Sequence, residues 1–131
     1  MIMPMSELTE NPDQLNIYYL PGSETSKLLM ALLQESRVPV HTIDLSKDRI
    51  TPTQVEELLN GLAMQPEELV SKDSPEFKEL FPDVDLDTAD WLTMIVKHPE
   101  IIRRPIAKRG KKVKVIEVPT EILKFIELET Y

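Results

Sequence analysis

The chain has 131 residues, 41% hydrophobic and 29% charged, which suits one domain with a buried core. Its formal charge of −8, from 15 basic and 23 acidic residues, makes it a poor partner for a phosphate backbone, so no nucleic acid is expected. No apolar run approaches the roughly 18 residues of a membrane helix, and Met1-Ile2-Met3-Pro4-Met5 lacks the basic start and apolar stretch of a secretory signal. Cysteine is absent and the histidines are His41 and His98 alone, which excludes disulfides, thiolate metal sites, iron–sulfur clusters, a cysteine nucleophile and a histidine-rich zinc site. No metal is expected, and the cytoplasm is the default location.

Residues 1–13, ending Asn11-Pro12-Asp13, read as a flexible leader, and residues 14–131 as a single domain. Leu15 to Leu20 is a short β-rich run closed by Pro21-Gly22, a strand meeting a turn. Ser23 to Ser36 reads as a helix, and Leu28, Leu29, Met30, Ala31, Leu32 and Leu33 cover enough of its circumference to predict that it is largely buried. Val38 to Asp44 is a second, β-branched strand. Strand, helix and strand in about thirty residues make a βαβ unit with a parallel pair.

Residues 51–98 change to an all-helical lobe inserted into this α/β chain. Thr51-Pro52-Thr53-Gln54 opens a helix with Val55, Leu58, Leu59 and Leu62 on one face, and Gly61 marks its expected end. Gln65–Ser71 and Pro75–Leu80 are two shorter helical pieces. Asp87 is expected to head a helix through Val96, with Trp91 and Ile95 in the core, and His98-Pro99 stops it. His98 at that end is expected to meet exposed carbonyls, and His41 to be an exposed or partner-bonded strand residue. The chain then returns to β structure. Residues 105–117 predict a hairpin turning at Arg109-Gly110, and Pro119 begins a last helix through residue 127.

The place for chemistry in such a chain is the first strand-to-helix turn, where a helix N-terminus offers unpaired amides and partial positive charge. Here it reads Tyr18-Tyr19-Leu20-Pro21-Gly22-Ser23-Glu24-Thr25-Ser26-Lys27. This segment resembles the turn of the thioredoxin-like arsenate reductase family that includes ArsC, Spx and YffB, roughly Tyr-x-x-Pro-x-Cys-Gly/Ser-Thr-Ser-Arg/Lys. Tyr18, Pro21, Thr25, Ser26 and Lys27 match in register. A second segment, His98-Pro99-Glu100-Ile101-Ile102-Arg103-Arg104-Pro105-Ile106, is similar to the family's His-Pro-x-Leu-Ile-x-Arg-Pro-Ile. The resemblance spans about residues 14–127. It implies a thioredoxin-like α/β fold: a mixed four-stranded sheet, the first two strands parallel and the hairpin antiparallel, with an inserted helical lobe. It also favours a cis bond before Pro105.

The family's nucleophilic cysteine falls on Ser23. Free cysteine titrates near ~8.5 and lower at a helix N-terminus, whereas a serine hydroxyl needs an adjacent base and cannot exchange disulfides. No histidine lies near it in sequence, so no catalytic residue is expected. Ser23 as N-cap with Glu24 as dipole partner is the structural reading of the turn. An anion or glutathione site, with Ser23, Thr25, Lys27, Arg104 and Pro105 as candidate binding residues, is the functional one. Of three arginines that the family's reductases place around the nucleophile, Arg104 alone is retained. The other two positions fall near Ser71 and near Val115 or Ile116.

Residues 103–114 hold seven of the fifteen basic residues and no acid. Arg103 and Arg104 lead this stripe, and Lys108, Arg109, Lys111, Lys112 and Lys114 are its expected outward set. It is a candidate docking face for a protein with an acidic surface, or simply a lysine-guarded sheet edge. The resemblance implies a binding or regulatory module without thiol redox activity, since Spx-type relatives act by docking on RNA polymerase. A residual glutathione- or oxyanion-handling enzyme and a ligand-free scaffold or homodimer are the alternatives. No cofactor is expected, glutathione being the one candidate.

Overall fold

A computed structural model describes residues 14–126; the expected leader, residues 1–13, and the chain after 126 lie outside the described residues. Four strands form one sheet in the order β2-β1-β3-β4, with β1 Leu15–Tyr19, β2 Val40–Asp44, β3 Ile106–Arg109 and β4 Lys112–Val115. β1 and β2 are parallel, with Ile17 opposite Thr42, while β3 runs antiparallel to both of its neighbours, with Tyr18 opposite Ile106 and Lys108 opposite Val113. This is the mixed sheet that the sequence predicts.

The two-residue period of the strands divides the core into two layers. Leu15, Ile17 and Ala107 face one side, where they pack with Leu29 and Leu33 of helix α1 (Glu24–Leu33) and Phe125 of helix α6 (Leu123–Ile126). Tyr18, Ile43 and Ile106 face the other side and meet the helical lobe. The lobe consists of α2 (Pro52–Leu62), α3 (Pro66–Leu69), α4 (Pro75–Leu80) and α5 (Trp91–Lys97), followed by a 3-10 turn at Pro99–Ile101. A bridge between Val70 and Ile102 ties the lobe to the chain entering β3. Phe77 stacks on Trp91 with ring centroids 6.1 Å apart. Trp91 is only half-buried, covering the edge of the core rather than filling it.

Local chemistry sets most element ends. Thr51 caps α2 through a reciprocal box: its Oγ1 accepts from the Gln54 N–H (3.1 Å), and Gln54 Oε1 accepts from the Thr51 N–H (2.8 Å). Several expected boundaries move. α1 ends at Leu33, and Leu28 is 50% exposed. The leucine run wraps the helix, but the sheet covers one stripe of it. α2 runs through Gly61 and closes with Ala63 in the left-handed region (φ 55°). Gly61 is small because β4 crosses there: a Cβ would lie 2.1 Å from Val113 Cγ2. α5 starts at Trp91 rather than Asp87, because Asp90 takes the cap, accepting from the Thr93 N–H at 3.1 Å. The last helix opens as a 3-10 turn at Pro119–Ile122 before α6.

Candidate functional site

The pairing of Tyr18 with Ile106 places the strand-to-helix turn beside Pro105 at one end of the sheet. The Arg104–Pro105 bond is cis. Gly22 (φ 94°) takes the left-handed conformation that brings the chain from β1 into α1. Ser23 follows as N-cap. Its Oγ accepts from the Ser26 N–H (3.1 Å) and donates to the buried Ser26 Oγ (2.7 Å). Both ordinary uses of the hydroxyl are therefore taken within the helix's own first turn. Glu24, in that turn, adds a carboxylate to the helix's positive end. Thr25 is half-buried, and Lys27 is exposed on the rim of a shallow depression that Tyr19, Pro21 and Met30 also line.

Tyr18, the first residue of the motif, is buried, and that burial, with the Glu57 charge adding to it, pushes its phenol up to about 12. It is a neutral core tyrosine at physiological pH. It supplies Ser23 with no base.

Arg104 turns its charge into the lobe. Nη1 donates to the carbonyls of Glu100 (3.0 Å) and Ile102 (2.9 Å), and Nη2 donates to Glu76 Oε1 (2.6 Å), with the two side chains 16% and 31% exposed. A guanidinium with one Nη on a carboxylate and the other on two carbonyls offers an incoming anion little. Nothing in the sequence announces Glu76 as this partner, because it lies 28 residues away in a helix with no motif of its own. Among the described residues, no group of three or more His, Cys, Asp or Glu side chains is placed to hold a metal.

The basic stripe is divided between the interior and the surface. β3 lies between β1 and β4, so both of its edges are paired, and core layers pack on its two faces, the lobe against Ile106 and the helices α1 and α6 against Ala107. Arg109 is 7% exposed and donates from Nη1 to the Phe125 carbonyl at 2.6 Å, which removes it from the outward set. Lys108 points to the opposite face, 4.0 Å from Glu57 with its side chain 16% exposed, and it too faces inward. Lys112 lies over the Phe125 ring, and Lys114 pairs with Glu121 at 3.0 Å. Lys111 and Lys112 are exposed at the hairpin. Arg103 is exposed as well, its Nε donating to the Glu68 carbonyl at 2.6 Å. His98 sets its ring edge-on to Phe81, 5.4 Å between centroids, in place of the carbonyl contact expected of it. His41 is exposed on the edge strand β2.

The family model described as "ArsC family" matches residues 18–125. The chain belongs to the ArsC family. Its relatives include the Global transcriptional regulator Spx of Enterococcus faecalis, 30% identical over 116 residues and 86% of each chain. Global transcriptional regulator Spx 1 of Bacillus cereus is 26% identical over 113 residues, again 86% of each. Among solved structures, a putative arsenate reductase from Yersinia pestis superposes with a TM-score of 0.70 at 20% identity, covering 84% of this chain and 98% of that one. The fold is thus the thioredoxin-like one of the family, and both motif segments sit together at one end of its sheet. This chain has no cysteine at all.

Proposed function

We propose that this protein is a cytoplasmic, cofactor-free docking module of the Spx type, acting by association with a protein partner and not by thiol chemistry. The observation that carries the reading is the use made of the nucleophile position. Ser23 is spent on capping α1, and the neighbouring cation, Arg104, is neutralised by Glu76. The two groups best placed to act on a substrate, the Ser23 hydroxyl and the Arg104 guanidinium, are engaged elsewhere, and Lys27 alone of the candidate cations is exposed. The similarity to proteins named transcriptional regulators supports a regulatory partner, and RNA polymerase is the first to test.

Two measurements test the reading together. Glutathione and arsenate at millimolar concentration should leave the melting temperature unchanged, because only a ligand that binds the native state raises it. Purified RNA polymerase should retain the protein on a sensor surface. A clear glutathione-dependent stabilisation without polymerase retention would instead support a residual glutathione-binding enzyme.

A further inference from the structure

Positive charge along the sequence and positive charge available to a partner are distributed differently in this molecule. Arg104, Lys108 and Arg109 are engaged inside the fold, and Lys114 pairs with Glu121 at the surface. By contrast Lys47, Arg49 and Lys97 are exposed and make no direct ion pair among the described residues, although Asp44 feels the charge of Lys47 and Asp90 that of Lys97. They come from separate parts of the chain, the β2–α2 loop and the end of α5, yet they line one groove of about 600 Å³. Leu45, Ile50, Val96 and Pro99 give it an apolar lining. Its size falls within the range of ligand-binding clefts, roughly 300–1,000 Å³.

The walls also carry Asp48 and Glu100. Asp48 is tied to its own loop, its Oδ2 accepting from the Asp44 N–H at 2.7 Å. Glu100 is half-buried. Three cations and two carboxylates leave the groove net positive on a chain whose formal charge is −8. The N-terminus of α2 opens here at Thr51, and its first turn carries no acid, so its partial positive charge adds to that of the lysines and the arginine.

We propose that this groove docks an acidic peptide segment of a protein partner, seating one apolar side chain on the apolar lining and flanking carboxylates on Lys47, Arg49 and Lys97. The inference rests on the docking reading above and supplies its contact surface. Charge complementarity selects the acid, and the apolar lining selects a peptide over a polyphosphate chain. An extended peptide places like-facing side chains ~7 Å apart, so an apolar residue can seat on the lining while acidic residues two positions to either side share its face.

The test uses a fluorescein-labelled acidic pentapeptide, Glu-Glu-Leu-Glu-Glu, and fluorescence polarisation on the full chain at low salt. The wild type should bind it, and Lys47→Glu with Lys97→Glu should weaken binding at least ~10-fold. Lys111→Glu with Lys112→Glu changes the net charge equally and should leave binding within about two-fold. Replacing the peptide's leucine by serine should also weaken it several-fold, because the apolar lining then goes unused. If the glutamate pair fails to fold, Lys47→Ala with Lys97→Ala gives the same comparison without reversing charge.

No binding by the wild type, equal losses in groove and hairpin variants, or displacement of the peptide by a lower concentration of single-stranded oligonucleotide would each overturn the proposal. Retention by RNA polymerase that survives the groove substitutions overturns the groove alone and leaves the docking reading in place. Loss of peptide binding and of polymerase retention by the wild type overturns both.

Discussion

The turn within Tyr18–Lys27 and the basic run Arg103–Lys114, which overlaps the second motif segment His98–Ile106, use their polar groups in different ways. In the turn, Ser23 stands at the position that the resemblance assigns to a nucleophilic cysteine, and its hydroxyl caps the helix beside Glu24. The basic run turns two of its charges into the fold, Arg104 to Glu76 and Arg109 to the Phe125 carbonyl, pairs Lys114 with Glu121 at the surface, and leaves Arg103, Lys111 and Lys112 exposed. Conserved-looking shape and retained charge are therefore separate from retained function. What decides each case is whether the group has a free valence toward solvent.

If the second segment holds the lobe and the sheet together, its substitutions should cost more than those in the turn. Arg104→Met should be the largest, about 2–3 kcal/mol, because it leaves Glu76 and two carbonyls without their donor; the range is set below that of a fully buried pair since both side chains are partly exposed. Urea denaturation would read it, and a loss under 0.5 kcal/mol, roughly that of a surface pair, would show the contact to be ornamental. Gly61→Ala should cost about 1–3 kcal/mol by forcing Val113 and the hairpin away from α2. A second change, Val113→Ala, should recover part of that loss, and additivity of the two would contradict the steric account. In the turn, Ser23→Ala should cost about 1 kcal/mol, the ordinary worth of an N-cap.

The smallest effect is acid-dependent. The N–H of Val118 chiefly, then the Lys114 ammonium and the Glu117 N–H, hold the Glu121 carboxyl down at about 2 from its usual 4.5. Because the folded value is depressed, its contribution is complete above pH 4.5 and is lost as pH falls toward 2. Glu121→Gln should lower the melting temperature modestly at neutral pH, where the carboxylate's contribution is present, and converge with the wild type toward pH 2, which flattens the acid slope across that interval. An unaltered slope would show the carboxylate to be uninvolved.

Local rules made much of this structure legible. Proline, glycine and capping residues located the turn at Pro21-Gly22, the opening of α2 at Thr51-Pro52 and the Gly110 hairpin. The β-rich runs gave all four strands, and the order of the two motif segments gave their arrangement. Contacts between distant residues were not legible. Periodicity identified the apolar faces of α1 but could not say that only one would be covered, so Leu28 reads as core and stands half-exposed. Gly61 reads as a helix stop because the strand that requires it lies some fifty residues later. Alternation along β3 does separate Lys108 from Arg109, but whether either face is open depends on the neighbours of that strand. The Arg104–Glu76 pair and the gathering of Lys47, Arg49 and Lys97 have no sequence signature. The Pro119–Glu121 capping pattern had one, and it could have marked Glu121 as the partner of its own turn.

The central claim is that the family's reactive turn survives here as structure. Arsenate reduction with purified protein, glutathione and glutaredoxin tests it most directly, with the wild type and Ser23→Cys measured side by side. The account predicts no turnover above the protein-free blank for the wild type. It also predicts that Ser23→Cys gains an alkylatable thiol and still turns over poorly, since Arg104 stays paired with Glu76 and Glu24 occupies the helix end. Reduction by the wild type at a rate proportional to protein concentration would contradict it.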